Sequence, residues 1–117
     1  MIIGTGIDII EIDRIKKAID RWGESFIEFV FHPDEIKSIA ARKDPVQHYA
    51  ARFAAKEAVF KAIGTRPEIG WKDIKILNDD KGKPICEYSD KNYPYKILVS
   101  ISHSDHYAVA QAIITSK

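Results

Sequence analysis

The sequence predicts an α+β fold in which helices pack on an antiparallel sheet. The first half of the chain carries apolar residues at helical spacing, and the second half carries short alternating segments separated by turn residues. An isoleucine-rich segment precedes both halves and predicts an N-terminal strand. With 117 residues, the chain can bury one core, so we expect a single domain over residues 1–117.

Composition narrows the possible partners and the compartment. The formal net charge is +1, which gives no overall field for binding nucleic acid. Cys86 is the only cysteine, so neither an internal disulfide nor a zinc cluster of cysteines is expected. No apolar run is long enough to cross a membrane, and no basic segment precedes the first isoleucines. We therefore expect a cytoplasmic protein that binds neither nucleic acid nor a membrane.

The N-terminal strand, predicted over residues 1–10, has two unlike faces. Alternation places Gly4, Gly6, Asp8 and Ile10 on one face, and Ile3, Thr5, Ile7 and Ile9 on the other. The two glycines leave room above the sheet for something to approach. An acid is unexpected at a core position. Taken alone, the aspartate could satisfy a turn at the end of the strand, or it could bind a metal ion.

Residues 11–22 predict an amphipathic helix that Gly23 can close. Its basic side chains Arg14, Lys17 and Arg21 are spaced i, i+3 and i+7, so they lie along one side of the helix. Such a row could bind an acidic partner helix, or it could be ordinary solvated surface.

Three further segments lead to the longest helix. Residues 24–31 are strongly apolar and predict a short helix or turn packed into the core. Pro33 begins a helix that is expected to run to about Lys43, although His32 before it is a poor N-cap. Asp44 is a better N-cap for the helix that follows.

The helix predicted over residues 45–63 carries charges with little solvent-facing surface. Aromatic residues form one stripe and alanines cover most of the opposite side, which is typical of a buried helix. Glu57 and Lys61, spaced i and i+4, lie in the narrow strip between them, and Arg52 and Lys56 lie at the other margin. Buried charges need partners. The glutamate and the second lysine could form a surface ion pair, or they could be functional.

The second half of the chain predicts an antiparallel meander that follows a loop over residues 64–70. Turn signals separate successive strands, most strongly over residues 78–83. The four predicted strands cover residues 71–77, 84–88, 96–102 and 107–115.

Ser102, His103 and Asp105 suggest a hydrolytic triad only weakly. Members of a triad must meet in space with the base between the nucleophile and the orienting acid, which neighbours in one tight turn rarely do. No Gly-x-Ser-x-Gly segment is present either. The histidine could instead donate a hydrogen bond to a phosphate.

Two acids in apolar surroundings, Asp8 and Glu57, suggest a different chemistry. If they converge, they form an oxygen-ligand site suited to Mg²⁺, which prefers one or two carboxylates together with water and substrate phosphate. Lys61, one turn beyond the glutamate, would then contact the phosphate, with Arg52 and Lys56 as further candidates. The residues alone do not establish that the two acids meet.

Four segments of the chain resemble the signatures of one family, holo-[acyl carrier protein] synthase, in the family's order. They are residues 4–15, 51–65, 82–84 and 99–110. The second segment, which contains Glu57 and Lys61, is the most specific. Two positions depart from the family pattern: Arg66 stands where a glycine is usual, and Ser104 stands where an acid is common.

The resemblance implies the 4′-phosphopantetheinyl transferase fold and its activity in fatty acid biosynthesis. Such an enzyme moves 4′-phosphopantetheine from coenzyme A to a serine of apo acyl carrier protein and releases adenosine 3′,5′-bisphosphate. The resemblance further implies a homotrimer with active sites between subunits and Mg²⁺ held by Asp8 and Glu57.

The expected site residues fall into three groups. Glu57 is the expected general base, directly or through a metal-bound water, with Lys61 and Asp8 as the other catalytic residues. We expect coenzyme A to contact Lys61, His103, Arg52 and Ser102, and the carrier protein to contact Arg14 and Arg21. Two rival functions are a binding module for acidic helices and a Mg²⁺-dependent phosphohydrolase that uses the same carboxylates.

Overall fold

The computed structural model describes residues 1–64 and 68–117, and the α+β class is confirmed. Arg66, one of the two departures from the family pattern, lies outside these residues. None of the described helices is both long and apolar enough to span a membrane. The elements are β1 (Ile2–Glu11), α1 (Ile12–Trp22), α2 (Glu24–Val30), α3 (Pro33–Ala40), α4 (Pro45–Ile63), a 3₁₀ turn (Trp71–Asp73), β2 (Ile74–Asn78), β3 (Pro84–Tyr88), β4 (Tyr95–His103) and β5 (Tyr107–Ser116).

Within the described residues the strands form two antiparallel sheets, so the prediction that the last four strands make one meander is wrong. One sheet has the order β1-β5-β4, and β2 pairs with β3 in a separate hairpin. The central strand β5 buries Ala108, Ala110, Ala112 and Ile114. A strand buried in this way pairs on both sides, and the N-terminal strand supplies the second partner.

Helix α4 lies very close to β1 because both surfaces are made of small residues. A Cβ atom on Gly6 would clash with the carbonyl oxygen of Ala58, and one on Gly4 would clash with that of Ala62. The room that the sequence predicted above the glycines is therefore filled by the backbone of α4. This contact fixes how the side chains of the helix and the strand meet.

The starts of two helices differ from expectation. His32, expected to be a poor N-cap, accepts a hydrogen bond at Nδ1 from the backbone N–H of Asp34 at 3.0 Å. Its own backbone N–H donates to Glu35 Oε1 at 2.9 Å, so an imidazole completes a capping box. Asp44 does precede α4, but its backbone is left-handed with φ 55° and its side chain caps nothing. Helix α3 ends at Ala40, about one turn before the predicted end.

Candidate active site

Asp8 lies in the middle of β1, opposite Ala110 of β5. Its side chain is 16% exposed. The close contact between β1 and α4 places it on the side of the strand that faces the helix, where Glu57 is half-buried. The convergence of these two carboxylates was only a possibility in the sequence, and it depends on the two glycines that admit the helix.

Lys61 joins the same group from the next turn of α4. Its Nζ donates to the carbonyl oxygen of Ile7 at 2.9 Å and lies 3.2 Å from Asp8 Oδ1. More than half of the lysine side chain, 54%, is exposed. The alternative of a simple surface pair within α4 therefore gives way to an ion pair that links the helix to the strand.

The electrostatics of the site follow from this grouping. Burial raises the pKa of Glu57, the negative charge of Asp8 raises it further, and the ammonium of Lys61 opposes both. Two carboxylates in one place favour a bound cation that relieves their repulsion. Among the described residues no three His, Cys, Asp or Glu side chains form a metal site. A pair of carboxylates fits Mg²⁺, which keeps water and phosphate in its other positions.

His103 lies apart from this group within one chain. It ends β4, and β5 lies between β4 and the strand that carries Asp8, a separation of about 10 Å at the usual strand spacing. Its charge instead acts on His48 of α4. The pKa of that residue is lowered by burial, and then by Arg42, Arg52 and His103. The contact of His103 with coenzyme A stays a prediction.

Ser102 is exposed and lies on the face of the sheet away from α4. Together with Ile7 and Gln111 it lines a shallow depression of about 240 Å³. Because neighbours along a strand project to opposite faces, Ser102 and His103 do not face each other. This placement argues against the hydrolytic triad and leaves the role of the serine at coenzyme A as a prediction.

Lys56, proposed as a further phosphate contact, is instead a structural residue. Its side chain is 0% exposed, and Nζ lies 2.6 Å from Oε1 of the equally buried Glu35. It also donates to the carbonyl oxygens of Val30, Trp71 and Ile74 at 3.1, 2.9 and 2.7 Å. An ammonium with four partners in the interior is not available to a substrate.

Arg52 also lies in the interior, with 3% of the residue exposed. Its Nε donates to the carbonyl oxygen of Ile76 at 2.9 Å. Its Nη2 is buried and has no hydrogen-bond partner within residues 1–64 and 68–117. The assignment of Arg52 to coenzyme A stays a prediction, and the bond to β2 already gives the side chain a structural role.

The basic side chains in the row on α1 are exposed, but two of them already have a contact within the chain. Lys17 pairs with Asp13 at 2.9 Å, and the guanidinium of Arg21 lies 5.0 Å from the centre of the Trp22 ring. Arg14 is also exposed. The row can present its two arginines to a partner, and that role stays a prediction.

Sequence reasoning missed two residues around α4. Glu35 was expected only as a helix-start acid, yet it is fully buried and holds Lys56. Its second oxygen accepts the backbone N–H of Ile76 at 2.9 Å. His48 lies one helical turn before Arg52, and that spacing was a signal that could have placed it beside the arginine.

Known proteins match this chain over nearly its whole length. Residues 4–112 match the model of the 4′-phosphopantetheinyl transferase superfamily. The holo-[acyl-carrier-protein] synthase of Protochlamydia amoebophila is 46% identical over 122 residues, which cover 99% of this chain and 100% of that protein. The chain belongs to the holo-[acyl-carrier-protein] synthase family of 4′-phosphopantetheinyl transferases. The resemblance found in the sequence and the expected enzyme class are thereby confirmed.

Solved structures of this family have the same fold. The holo-(acyl-carrier-protein) synthase of Bacillus anthracis, solved in complex with CoA (3′,5′-ADP), has a TM-score of 0.89 at 40% identity, and the match covers 100% of this chain and 99% of that chain. The Helicobacter pylori synthase in complex with coenzyme A has a TM-score of 0.82 at 32% identity over 95% and 99% of the two chains. The predicted 4′-phosphopantetheinyl transferase fold is confirmed.

Proposed function

We propose that this chain transfers 4′-phosphopantetheine from coenzyme A to a serine of apo acyl carrier protein. The reaction depends on Mg²⁺ and releases adenosine 3′,5′-bisphosphate. The observation that carries the proposal is the convergence of Asp8, Glu57 and Lys61 where α4 meets β1. Family relatives named for this reaction, and relatives solved with coenzyme A, support the choice of substrates.

Asp8 and Glu57 would hold the magnesium ion. When bound there, Mg²⁺ supplies neutralisation of the negative charge that develops on the pyrophosphate. The two side chains come from different elements, so the strand and the helix must keep their contact for both carboxylates to act together. The glycines of β1 therefore support the reaction without touching the substrate.

The carrier serine attacks the β-phosphorus of coenzyme A. Its hydroxyl oxygen forms the new bond to phosphorus as the bond to the oxygen of adenosine 3′,5′-bisphosphate breaks. Glu57 accepts the serine proton in this scheme. The exposed ammonium of Lys61 stabilises the charge on the leaving phosphate.

The carrier protein docks on α1 in this proposal. Arg14 and Arg21 are exposed on one side of that helix, and an acidic carrier helix would complement them. Rim charges of this kind act mainly on the rate of association. Replacing Arg14 by glutamate should therefore raise the KM for the carrier more than it lowers kcat.

A homotrimer with active sites between subunits would complete the site. The face of the sheet away from α4 exposes Ile7 and Ile9 at 63% and 64%, together with Leu98 at 39%, which is typical of a surface that another protein covers. His103 is too far across the sheet to join Asp8 within one chain. A neighbouring subunit could supply that histidine, and analytical ultracentrifugation measures the assembly directly.

The mass of the carrier protein tests the activity. The chain is mixed with apo acyl carrier protein, coenzyme A and Mg²⁺, and we expect the carrier to gain the mass of one phosphopantetheine. Chelator, Asp8→Asn or Glu57→Gln should abolish the gain, whereas Glu28→Gln, at an exposed glutamate of α2, should leave it unchanged. An unmodified carrier with intact coenzyme A would indicate a binding module. Consumption of coenzyme A without a carrier would indicate a phosphohydrolase.

A further inference from the structure

The ammonium of Lys61 already occupies the place beside Asp8 where a metal cation would bind. Nζ lies 3.2 Å from Asp8 Oδ1 and donates to the carbonyl oxygen of Ile7 at 2.9 Å. The aspartate side chain is 16% exposed and the lysine side chain 54%. The carboxylate is therefore largely shielded from solvent, while more than half of the lysine side chain is in contact with it.

An ammonium and a divalent ion are alternatives at one carboxylate. Each neutralises the same negative charge, and they repel each other when they are close. The ammonium is also close enough to Glu57 to oppose the rise in its pKa that burial and Asp8 cause. One cation thus already serves both carboxylates in this arrangement.

We propose that Lys61 and Mg²⁺ compete for Asp8, so that metal binding releases the lysine toward the substrate phosphate. This inference rests on the proposed function and adds the order in which the metal binds and the lysine moves. Lys61 becomes a phosphate contact only after it leaves the aspartate. Conversely, a pyrophosphate that captures the lysine frees the aspartate for the metal, so metal and coenzyme A bind cooperatively.

Metal affinity of the full chain, titrated with Mg²⁺ alone in a calorimeter, tests the competition without any turnover. An exposed ion pair is worth up to about 1 kcal/mol, so Lys61→Met should bind Mg²⁺ about fivefold more tightly than the wild type. The control is Lys17→Met, which removes a more exposed lysine paired with Asp13 on α1 and should leave the affinity unchanged. Equal affinity in Lys61→Met and the wild type would overturn the competition, as would equal tightening in both variants.

The lysine ammonium signals in NMR spectra give a second readout that a general charge effect would not produce. Lys61→Met assigns the Lys61 signal by removing it. Saturating Mg²⁺ should shift this signal and speed its proton exchange with water. The buried Lys56, held by four partners, is the internal control and should not respond. An unmoved Lys61 signal at saturating metal contradicts the proposal.

Asp8→Asn separates failure of this inference from failure of the proposed metal site. If the wild type and Asp8→Asn bind Mg²⁺ equally, the aspartate is not a ligand and both proposals fail. If Asp8→Asn weakens binding while Lys61→Met does not strengthen it, the metal site stands and only the competition fails. Weaker binding in the first variant and tighter binding in the second support both.

Discussion

Helix α4 forms two lysine–carboxylate pairs that differ in almost everything except their chemistry. Lys56 and Glu35 are both 0% exposed and lie 2.6 Å apart. Lys61 and Asp8 lie 3.2 Å apart with side chains 54% and 16% exposed. In the first, which we call the buried pair, the lysine also donates to three backbone carbonyls. In the second, the open pair, the lysine also donates to one. We infer that the first holds the fold together and that the second exchanges partners during the reaction.

Enclosure explains the difference between the pairs. The partners of Lys56 come from α2, α3, the 3₁₀ turn and β2, so its ammonium joins four elements to α4. Removing one member of such a pair leaves an uncompensated charge in the interior. Within the described residues, the hydrogen-bond acceptors of Lys61 both lie in β1, and its exposed ammonium also contacts water.

The largest expected effect comes from breaking the buried pair. Lys56→Met should lower the free energy of unfolding by about 3–5 kcal/mol, because Glu35 would remain charged without a partner. Chemical denaturation measures this loss. Lys61→Met is the matched control and should cost no more than about 1 kcal/mol. Equal losses in the two variants would remove the distinction between the pairs.

A substitution in β1 should damage the open pair and spare the buried one. Gly6→Ala places a Cβ atom against the carbonyl oxygen of Ala58, so α4 must move away from the strand at a cost of about 1–3 kcal/mol. We expect transfer activity to fall as well, because Asp8 and Glu57 separate. The control is Gly70→Ala, where the nearest atom is 3.6 Å away and φ is −94°. Wild-type activity in Gly6→Ala would show that the close contact is not needed.

The smallest expected effect is a difference in pH dependence at the open pair. The folded-state pKa of Glu57 is raised above the ordinary value of 4.5, by burial first and then by Asp8. Between 4.5 and the raised pKa the folded protein binds more protons than the unfolded chain, so stability from this group falls as pH rises. Glu57→Gln should remove this decrease in stability. Chemical denaturation of both proteins in the presence of chelator, at several pH values in this interval, measures the difference.

The exposed Glu28→Gln variant is the control for this pH series and should keep the wild-type slope. A wild-type stability curve that rises through the same interval more steeply than that of Glu57→Gln would contradict the sign assigned to Glu57.

The sequence indicated how α4 meets β1 because small residues constrain where a helix can lie. Gly4 and Gly6 on one strand face and the alanines of α4 indicated a close contact, and the structure confirms it. The contact between Lys61 and Asp8 joins residues 53 positions apart. Periodicity describes each element alone and did not predict this contact, and the resemblance to the family implied only that Asp8 and Glu57 hold one metal ion.

The sequence could not tell that Lys56 is buried and that Lys61 is exposed. Both are lysines of one helix with little solvent-facing surface, and the burial of the first depends on Glu35, which another helix supplies. The placement of β1 beside β5 was equally out of reach, since strand pairing across the whole chain leaves no local signal. Tertiary partners therefore decided both points.

Stability and turnover of Lys61→Met, measured on one preparation, test the central claim about α4 most directly. We expect the free energy of unfolding to stay within about 1 kcal/mol of the wild type, while kcat for transfer to apo acyl carrier protein falls about 10²–10³-fold. Wild-type turnover in a stable variant would contradict the account, because the open pair would then have no part in the reaction.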